Sequence, residues 1–528
     1  MKKLFIIHPF FFAIFPILHL FAYNIDNFSL DVVLNPIAIT SCFALLAWSL
    51  LSFVLKSKKK AGLLVSLFLL LFFSYTPRYS ALAGLHFMVG GVTIGPDEIL
   101  LPTWGALFSL GAYVSVRTRR NVHTFTKLFN IVSVALVLIS LINIGSYKIK
   151  TRAVWEDNKN IEYNEANLEG SKKPAILPHI YYIILDGYAR ADILKEIYQY
   201  DNTELLDYLT QKGFYIAKKS RSNYCQTALS LASSLNFKYL DDLVDQIGIE
   251  YSNREPLRNM ISNNRAVHFL KQEGYLFVAF SSGYQITEIR NPDIYLTKGI
   301  FLDEFKIGLM HTTPVPALLN KLEISYIDNL HRKRILYIFD HFREISKMET
   351  PIFVFAHIVA PHPPFVFGRR GEKIKPKGMF THSDGNHLIG EGGISRSEYL
   401  ENYREQLIFI NNKIKATIDG ILSNADSPPV IILQSDHGPG SFLDWEDPHN
   451  TYLKERLSIL NAYYLPHGGG RFLYDEITPV NTFRIIFNNY FGTNYPLLKD
   501  ESYFSTWSHP YKFIKARDKA DPDKDNNS

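Results

Sequence analysis

Apolar residues follow two regimes along this chain. Up to residue 148 they come in long runs. Segments 4–23, 32–55 and 128–147 are apolar over lengths that cross a bilayer. Segment 99–116 does the same around Pro102, which membrane helices tolerate. Segment 61–75 is short; joined through Arg78 to 81–90 it makes a fifth span. Beyond residue 178 the apolar runs are short and alternate with stretches of helical spacing. Runs at 179–186, 276–281, 352–359 and 430–435 read as buried strands, and 264–273, 332–347 and 397–422 as helices. This alternation predicts an α/β domain whose mixed, mainly parallel sheet is flanked by helices. The last long helix carries Tyr403, Asn411 and Asn412, which the pattern assigns to a polar face.

Polar stretches set the boundaries. Residues 149–177 are rich in Glu, Asn and Lys and read as a linker, with an amphipathic helix near 153–166. Residues 516–528 are charged and apolar-poor, as in a disordered tail. The expected organisation is a transmembrane domain of about five helices over 1–148, a linker over 149–177, one large α/β domain over 178–515, and the tail.

Charge orients the spans. Lys2 and Lys3, Lys56 to Lys60, and Arg117 to Arg120 fall on one side of a five-span arrangement. Loops 24–31 and 95–98 on the other side carry acids and no basic residue. The positive-inside rule makes the basic side cytoplasmic, and an odd span number places everything after Tyr147 outside. The chain has 56 Lys and Arg against 51 Asp and Glu, a net charge of +5 that the basic loops largely explain, so no nucleic-acid surface is expected. Of the two cysteines, Cys42 lies within a span and Cys225 far from it, so the outer domain is expected to fold without disulfides.

The chemistry sits at strand ends. The run 430–434 stops at Ser435-Asp436-His437-Gly438, and the run 179–185 stops at Asp186-Gly187. In an open α/β sheet the C-terminal strand ends are where ligands bind. Carboxylate oxygens with an imidazole nitrogen suit a divalent metal such as zinc or manganese. Thr227 stands where helical spacing begins, and a helix start favours phosphate. A Thr hydroxyl becomes a useful nucleophile when a metal lowers its pKa. Between these points, His357 lies inside the apolar run 353–359, either as a functional group or as a hydrogen-bonded core histidine, and His362 follows in a Pro-rich turn.

Asp186, Thr227 and Ser435-Asp436-His437-Gly438, in that order and separation, resemble the alkaline phosphatase superfamily, closest to its sulfatase-like membrane transferases of the lipoteichoic acid synthase and phosphoethanolamine transferase type. The resemblance covers roughly residues 178–490. It implies an alkaline-phosphatase-like catalytic domain on the extracytoplasmic side of a bacterial-type inner membrane. It also implies that Asp186, Thr227, Asp436 and His437 hold one catalytic metal and that Thr227 becomes covalently substituted. His362, before a Pro, is similar to a histidine that contacts the phosphoryl group or a second metal. His449, twelve residues beyond His437, is similar in spacing to a second-metal histidine of the phosphoethanolamine transferases, or else lies on a surface loop. The chain departs from those transferases in having Asp rather than Glu at 186, and Pro439-Gly440 rather than Glu-Ser after the His-Gly pair. The sulfatase signature is absent: the segment reads Cys225-Gln-Thr-Ala-Leu229, which argues against sulfate-ester hydrolysis.

The function so implied is metal-dependent transfer of a phospho-headgroup, of phosphoglycerol or phosphoethanolamine type, from a membrane phospholipid to a cell-envelope glycan or glycolipid through a phospho-threonine. The alternatives are a membrane-anchored phosphodiesterase or phosphatase that uses water, and a non-catalytic envelope binding protein.

Overall fold

The computed structural model describes residues 5–75, 87–89, 92–118, 122–159, 177–298, 302–322, 324–377, 380–390 and 393–516. Residues 160–176 of the expected linker, 76–86 of the expected third span and 517–528 of the expected tail lie outside these. The chain divides into two units, Met1–Glu156 with Leu302–Tyr326, and Asp157–Phe301 with Ile327–Ser528.

The long apolar runs of the first unit form helices at His8–Tyr23, Leu34–Leu55, Lys58–Phe73, Pro96–Arg117 and His123–Lys159. Among the described residues, three helical stretches are long and apolar enough to cross a membrane: Leu30–Leu55, Pro96–Arg117 and His123–Ile149. Large apolar side chains face outward on them, among them Ile39, Leu50, Leu110, Ile131 and Ile142, as a lipid solvent permits. His8–Tyr23 and Lys58–Phe73 have 16 residues each, short of the roughly 20 a span needs. In the last part of the expected third span, Phe87–Val89 is strand rather than helix, pairing antiparallel with Val92–Ile94. Tertiary contacts sort the helix ends as the charges do. Lys60 Nζ donates to the carbonyls of Val116 and Thr118, both at 2.9 Å, so two basic segments share one end of the bundle. Asp26 and Asp97 accept from Tyr147 and Tyr75 hydroxyls, each at 2.7 Å.

In the second unit, strands β1 (Ile180–Leu185), β2 (Tyr215–Ile216), β3 (Leu276–Phe280), β4 (Ile294–Leu296), β5 (Ile352–Ile358), β6 (Val430–Gln434) and β7 (Asn461–Tyr464) make one sheet in the order β2-β7-β6-β1-β5-β3-β4. The pairings β6-β1, β1-β5, β5-β3 and β3-β4 are parallel; β6-β7 and β7-β2 are antiparallel. The four strands legible as apolar runs are the four contiguous central ones. Each faces a packed core on both sides. Tyr181, Ile183 and Leu185 enter one core with the helices Tyr326–Ile345 and Arg396–Asn424. Ile180, Tyr182 and Ile184 enter the other with the helices Thr227–Asn236 and Thr482–Phe491. Burying one such side chain is worth about 1.5–3 kcal/mol, so slipping β1 by one residue would misplace six at once. The register is therefore fixed, and with it the level at which β1, β5 and β6 end.

The expected polar face of the Arg396–Asn424 helix is only partly polar-exposed. Tyr403 and Asn411 are buried and Asn412 is exposed. The Tyr403 hydroxyl donates to Gly187 O at 2.9 Å and accepts from Ala189 N, while Asn411 Oδ1 accepts from Tyr188 at 2.7 Å. These bonds clamp the turn after β1, which a surface face could not do.

Two glycines are required at the strand ends. Gly187 has φ +68°, the left-handed region open to glycine. At Gly438 a Cβ would lie 2.0 Å from Glu455 O, because Gly438 N donates to Arg456 O at 2.7 Å. Gly438→Ala is expected to destabilise the second unit by about 3 kcal/mol through this overlap, read as a lowered denaturation midpoint of the purified chain; an unchanged midpoint would show that the Glu455 backbone yields freely.

Candidate active site

Three strand ends converge. Asp186 and Gly187 follow β1, His357 is the penultimate residue of β5, and Asp436 and His437 follow β6. Parallel pairing brings Leu185 opposite Ile358 and Ile184 opposite Gln434, so these residues emerge at one edge. The turns are cross-linked there. Gly187 N donates to Asp436 Oδ1 at 3.2 Å, Tyr188 N to Ser435 Oγ at 2.8 Å, and His362 N to Asp186 O at 3.0 Å.

Thr227 is the first residue of the Thr227–Asn236 helix and Gln226 is its N-cap. All ten residues of this helix are buried. Hydroxyls of Ser230 and Ser222 donate to Asp436 O, which pins the helix start beside the β6 end. The Thr227 hydroxyl does not cap its own helix; Oγ1 lies 3.0 Å from His437 Nε2. His437 Nε2 in turn lies 3.3 Å from Asp436 Oδ2 and 3.6 Å from Asp186 Oδ1. The four residues read from the sequence as one metal set, Asp186, Thr227, Asp436 and His437, are thus brought together by the fold.

His357 joins them. Its Nε2 is 3.3 Å from Asp186 Oδ2 and its Nδ1 is 2.8 Å from Thr287 Oγ1. Asp186, His357 and Asp436 offer ligand atoms all within 4.8 Å of one another. Among the described residues, Asp186 Oδ1, Asp436 Oδ2 and His357 Nε2 are buried with no hydrogen-bond partner. Buried polar atoms are almost always satisfied, and leaving them bare costs on the order of 1–3 kcal/mol each. Two carboxylate oxygens and an imidazole nitrogen converging bare are what a divalent cation would satisfy, so the residues present fit one.

The electrostatics are shaped by burial and by opposite charge. Burial opposes charge on Asp186, yet the pull of His362 and of the adjacent His357 holds its carboxyl well below the usual range. Burial disfavours the imidazolium of His362, and Asp186 and Asp384 outweigh it, raising His362 above its ordinary value. Its Nδ1 donates to Pro363 O at 2.6 Å, and its Nε2 lies 3.8 Å from Asp384 Oδ2. His437 is lowered, by burial first and by Arg456 next.

Asp384 and Arg456 were not expected from the sequence. Asp384 lies in a stretch without periodicity, and Lys454-Glu455-Arg456 has the look of a solvated helix end. Both are buried and paired, Arg456 Nη1 donating to Asp384 Oδ2 at 2.7 Å. His449, expected from its spacing, is exposed on a turn where its backbone N–H donates to Asp447 Oδ1 at 2.8 Å. No contact of its ring with the buried group is recorded among the described residues.

No family model matches this sequence, and no curated protein matches it. Solved structures do. The C-terminal periplasmic domain of EcEptC from Escherichia coli is 11% identical at a TM-score of 0.41, over 66% of this chain and 95% of that one. Lipooligosaccharide phosphoethanolamine transferase A from Neisseria meningitidis, an integral membrane protein, is 11% identical at a TM-score of 0.37, over 92% of this chain and 96% of that one. The C-terminal periplasmic domain of phosphoethanolamine transferase EptC from Campylobacter jejuni is 10% identical at a TM-score of 0.35, over 59% and 89%. The solved structures to which the chain is similar thus include phosphoethanolamine transferases, a group its strand-end motifs resemble.

Proposed function

We propose that this protein is a membrane-bound, metal-dependent transferase that moves a phospho-headgroup, of phosphoglycerol or phosphoethanolamine type, from a membrane phospholipid to a glycan or glycolipid of the cell envelope. Its second unit then works on the periplasmic or extracellular side of an inner or plasma membrane. One observation carries the reading: a helix-start hydroxyl, Thr227 Oγ1, is aimed at His437 Nε2, 3.0 Å away, inside a buried group with bare ligand atoms on Asp186, Asp436 and His357.

Asp186 and Asp436, flanked by the imidazoles of His357 and His437, would hold zinc or manganese. Bound there, the ion supplies a lowered pKa for the Thr227 hydroxyl and offsets charge on a phosphate oxygen. The chain's own residues do the rest. Ionised Thr227 Oγ1 forms a bond to phosphorus while the bond from phosphorus to the lipid oxygen breaks. That oxygen keeps the electron pair and takes the proton of His362 Nε2, whose imidazolium form is disfavoured by burial and favoured, on balance, by Asp186 and Asp384. In the second half, a hydroxyl of the acceptor bonds to phosphorus and gives its proton back to His362 Nε2. The bond to Thr227 breaks with the pair returning to Oγ1. The buried position of Thr227 limits competing attack by bulk water on the intermediate.

Thr227→Ala is expected to lower turnover at least about 10³-fold with an unchanged thermal midpoint. Intact-mass analysis of the wild-type chain after incubation with membranes should show an adduct on Thr227 whose mass names the headgroup. Undiminished turnover in the Ala variant would remove Thr227 from the chemistry, and headgroup release without any glycan acceptor would assign the enzyme as a phosphodiesterase. Asp436→Asn is expected to lower bound metal by at least about tenfold, measured by elemental analysis of purified protein after dialysis against zinc or manganese. Full metal content in that variant would exclude Asp436 as a ligand.

A further inference from the structure

We infer that Arg456 is a catalytic residue of this site, presenting one guanidinium nitrogen to a non-bridging oxygen of the phosphoryl group that Thr227 attacks. The inference rests on the transfer reaction proposed above.

The guanidinium is fixed on two of its three nitrogens. Nε donates to Cys225 O at 2.9 Å, and Nη1 donates to Asp384 Oδ2 at 2.7 Å and to Gly438 O at 3.0 Å. Its carbon lies 4.9 Å from the ring centre of Trp445. Asp384 is itself held, accepting from the Tyr399 hydroxyl at 2.6 Å, and both partners of the ion pair are about 1% exposed. The fork is therefore set before any ligand arrives. It bridges the residue two before the nucleophile and the residue after His437.

The third nitrogen, Nη2, has a single acceptor among the described residues: His437 Nε2 at 3.2 Å. This atom also faces Thr227 Oγ1 at 3.0 Å. His437 Nδ1 lies 2.9 Å from Gly438 O, a carbonyl that can only accept, so Nδ1 carries the proton and Nε2 a lone pair. One lone pair cannot serve a guanidinium, a hydroxyl and a metal together. Were a cation to take that pair, Nη2 would keep two N–H donors with no acceptor among the described residues, in a buried site next to the nucleophile. A phosphodiester monoanion supplies the missing acceptor. Guanidinium matches phosphate oxygens in charge and geometry. A preset donor aimed where charge develops typically contributes 10²–10³ in kcat.

The test uses the full chain in detergent, loaded with manganese, and bis-p-nitrophenyl phosphate as the phosphodiester. Arg456→Ala is expected to lower p-nitrophenolate release and the rate of Thr227 adduct formation by about 10²–10³-fold. Metal per chain should stay at the wild-type value, and added guanidinium ion, but not urea, should restore part of the rate. Turnover within threefold of wild type overturns the inference. So does a variant that loses its metal along with its rate, or a rate that guanidinium does not restore in a folded, metal-loaded variant, since each assigns Arg456 a structural role. If the variant does not accumulate, the wild-type structure with manganese and orthovanadate decides: Nη2 within about 3 Å of a vanadate oxygen supports the inference and a longer separation overturns it. A wild-type chain that binds metal yet forms no adduct overturns the transfer reaction and this inference together; a competent wild type with an equally competent Arg456→Ala overturns this inference alone.

Discussion

Two carboxylates, Asp186 and Asp436, emerge buried from neighbouring parallel strands, and among the described residues neither is neutralised by a salt bridge to Lys or Arg. Everything around them follows from that constraint. Like charges forced together in a low-dielectric site must be offset or protonated. The fold offers imidazoles on both sides, His357 from β5 and His437 from the residue after Asp436. Among the described residues it leaves one ligand atom each on Asp186, His357 and Asp436 without a hydrogen-bond partner. A structure optimised for stability alone would fill that space with apolar side chains. Three bare polar atoms at the end of a rigid parallel sheet instead mark a place kept for a ligand.

The rigidity comes from the sheet and from what locks its turns. β1, β5 and β6 are buried on both faces, so their register cannot slip without turning apolar residues into the wrong core. Hydrogen bonds from Gly187, Tyr188 and His362 then tie the three turns together, and Tyr403 clamps the first of them from the long helix. The nucleophile's helix is buried over its whole length and fastened to Asp436 O by two serines. Thr227 is thus placed by packing at one end and by hydrogen bonds at the other, which leaves its hydroxyl free of capping duty.

How much of this could be read from the amino-acid order depended on whether a residue's role is local. The central strands are continuous apolar runs ending in Asp-Gly or Asp-His, and a strand end is visible in the chain itself. The edge strands Tyr215–Ile216 and Ile294–Leu296 are two and three residues long and half-buried, and Asn461–Tyr464, paired on both sides, is four residues long and begins with Asn, so none carries a run to recognise. His357 was ambiguous because a histidine inside an apolar strand has one neighbourhood in sequence and another in space; only the approach of Asp186 decides it. Arg456 and Asp384 were illegible for a stronger reason. Each looks like a solvated charge until the other is beside it, and they are 72 residues apart. In the first unit, the basic ends were legible because the positive-inside rule is compositional, and the contact of Lys60 with Val116 and Thr118 brings two of the three basic segments together, Lys2 and Lys3 lying outside the described residues. Within the run 81–90, hydropathy does not register that Phe87–Val89 pairs as a strand.

Charge balance links the site to the kind of group it takes. Asp186, Asp436 and Asp384 bring three negative charges into one buried region. Against them stand the permanent cation of Arg456 and the imidazole of His362, which Asp186 and Asp384 hold above its ordinary pKa while burial works against it. Glu455 nearby adds little charge, because burial pushes its carboxyl up to about 7. Three carboxylates against one fixed guanidinium disfavour an anionic substrate in the chain alone. A divalent cation held by Asp186 and Asp436 would offset that excess, so metal binding and acceptance of an anionic group are coupled at this site.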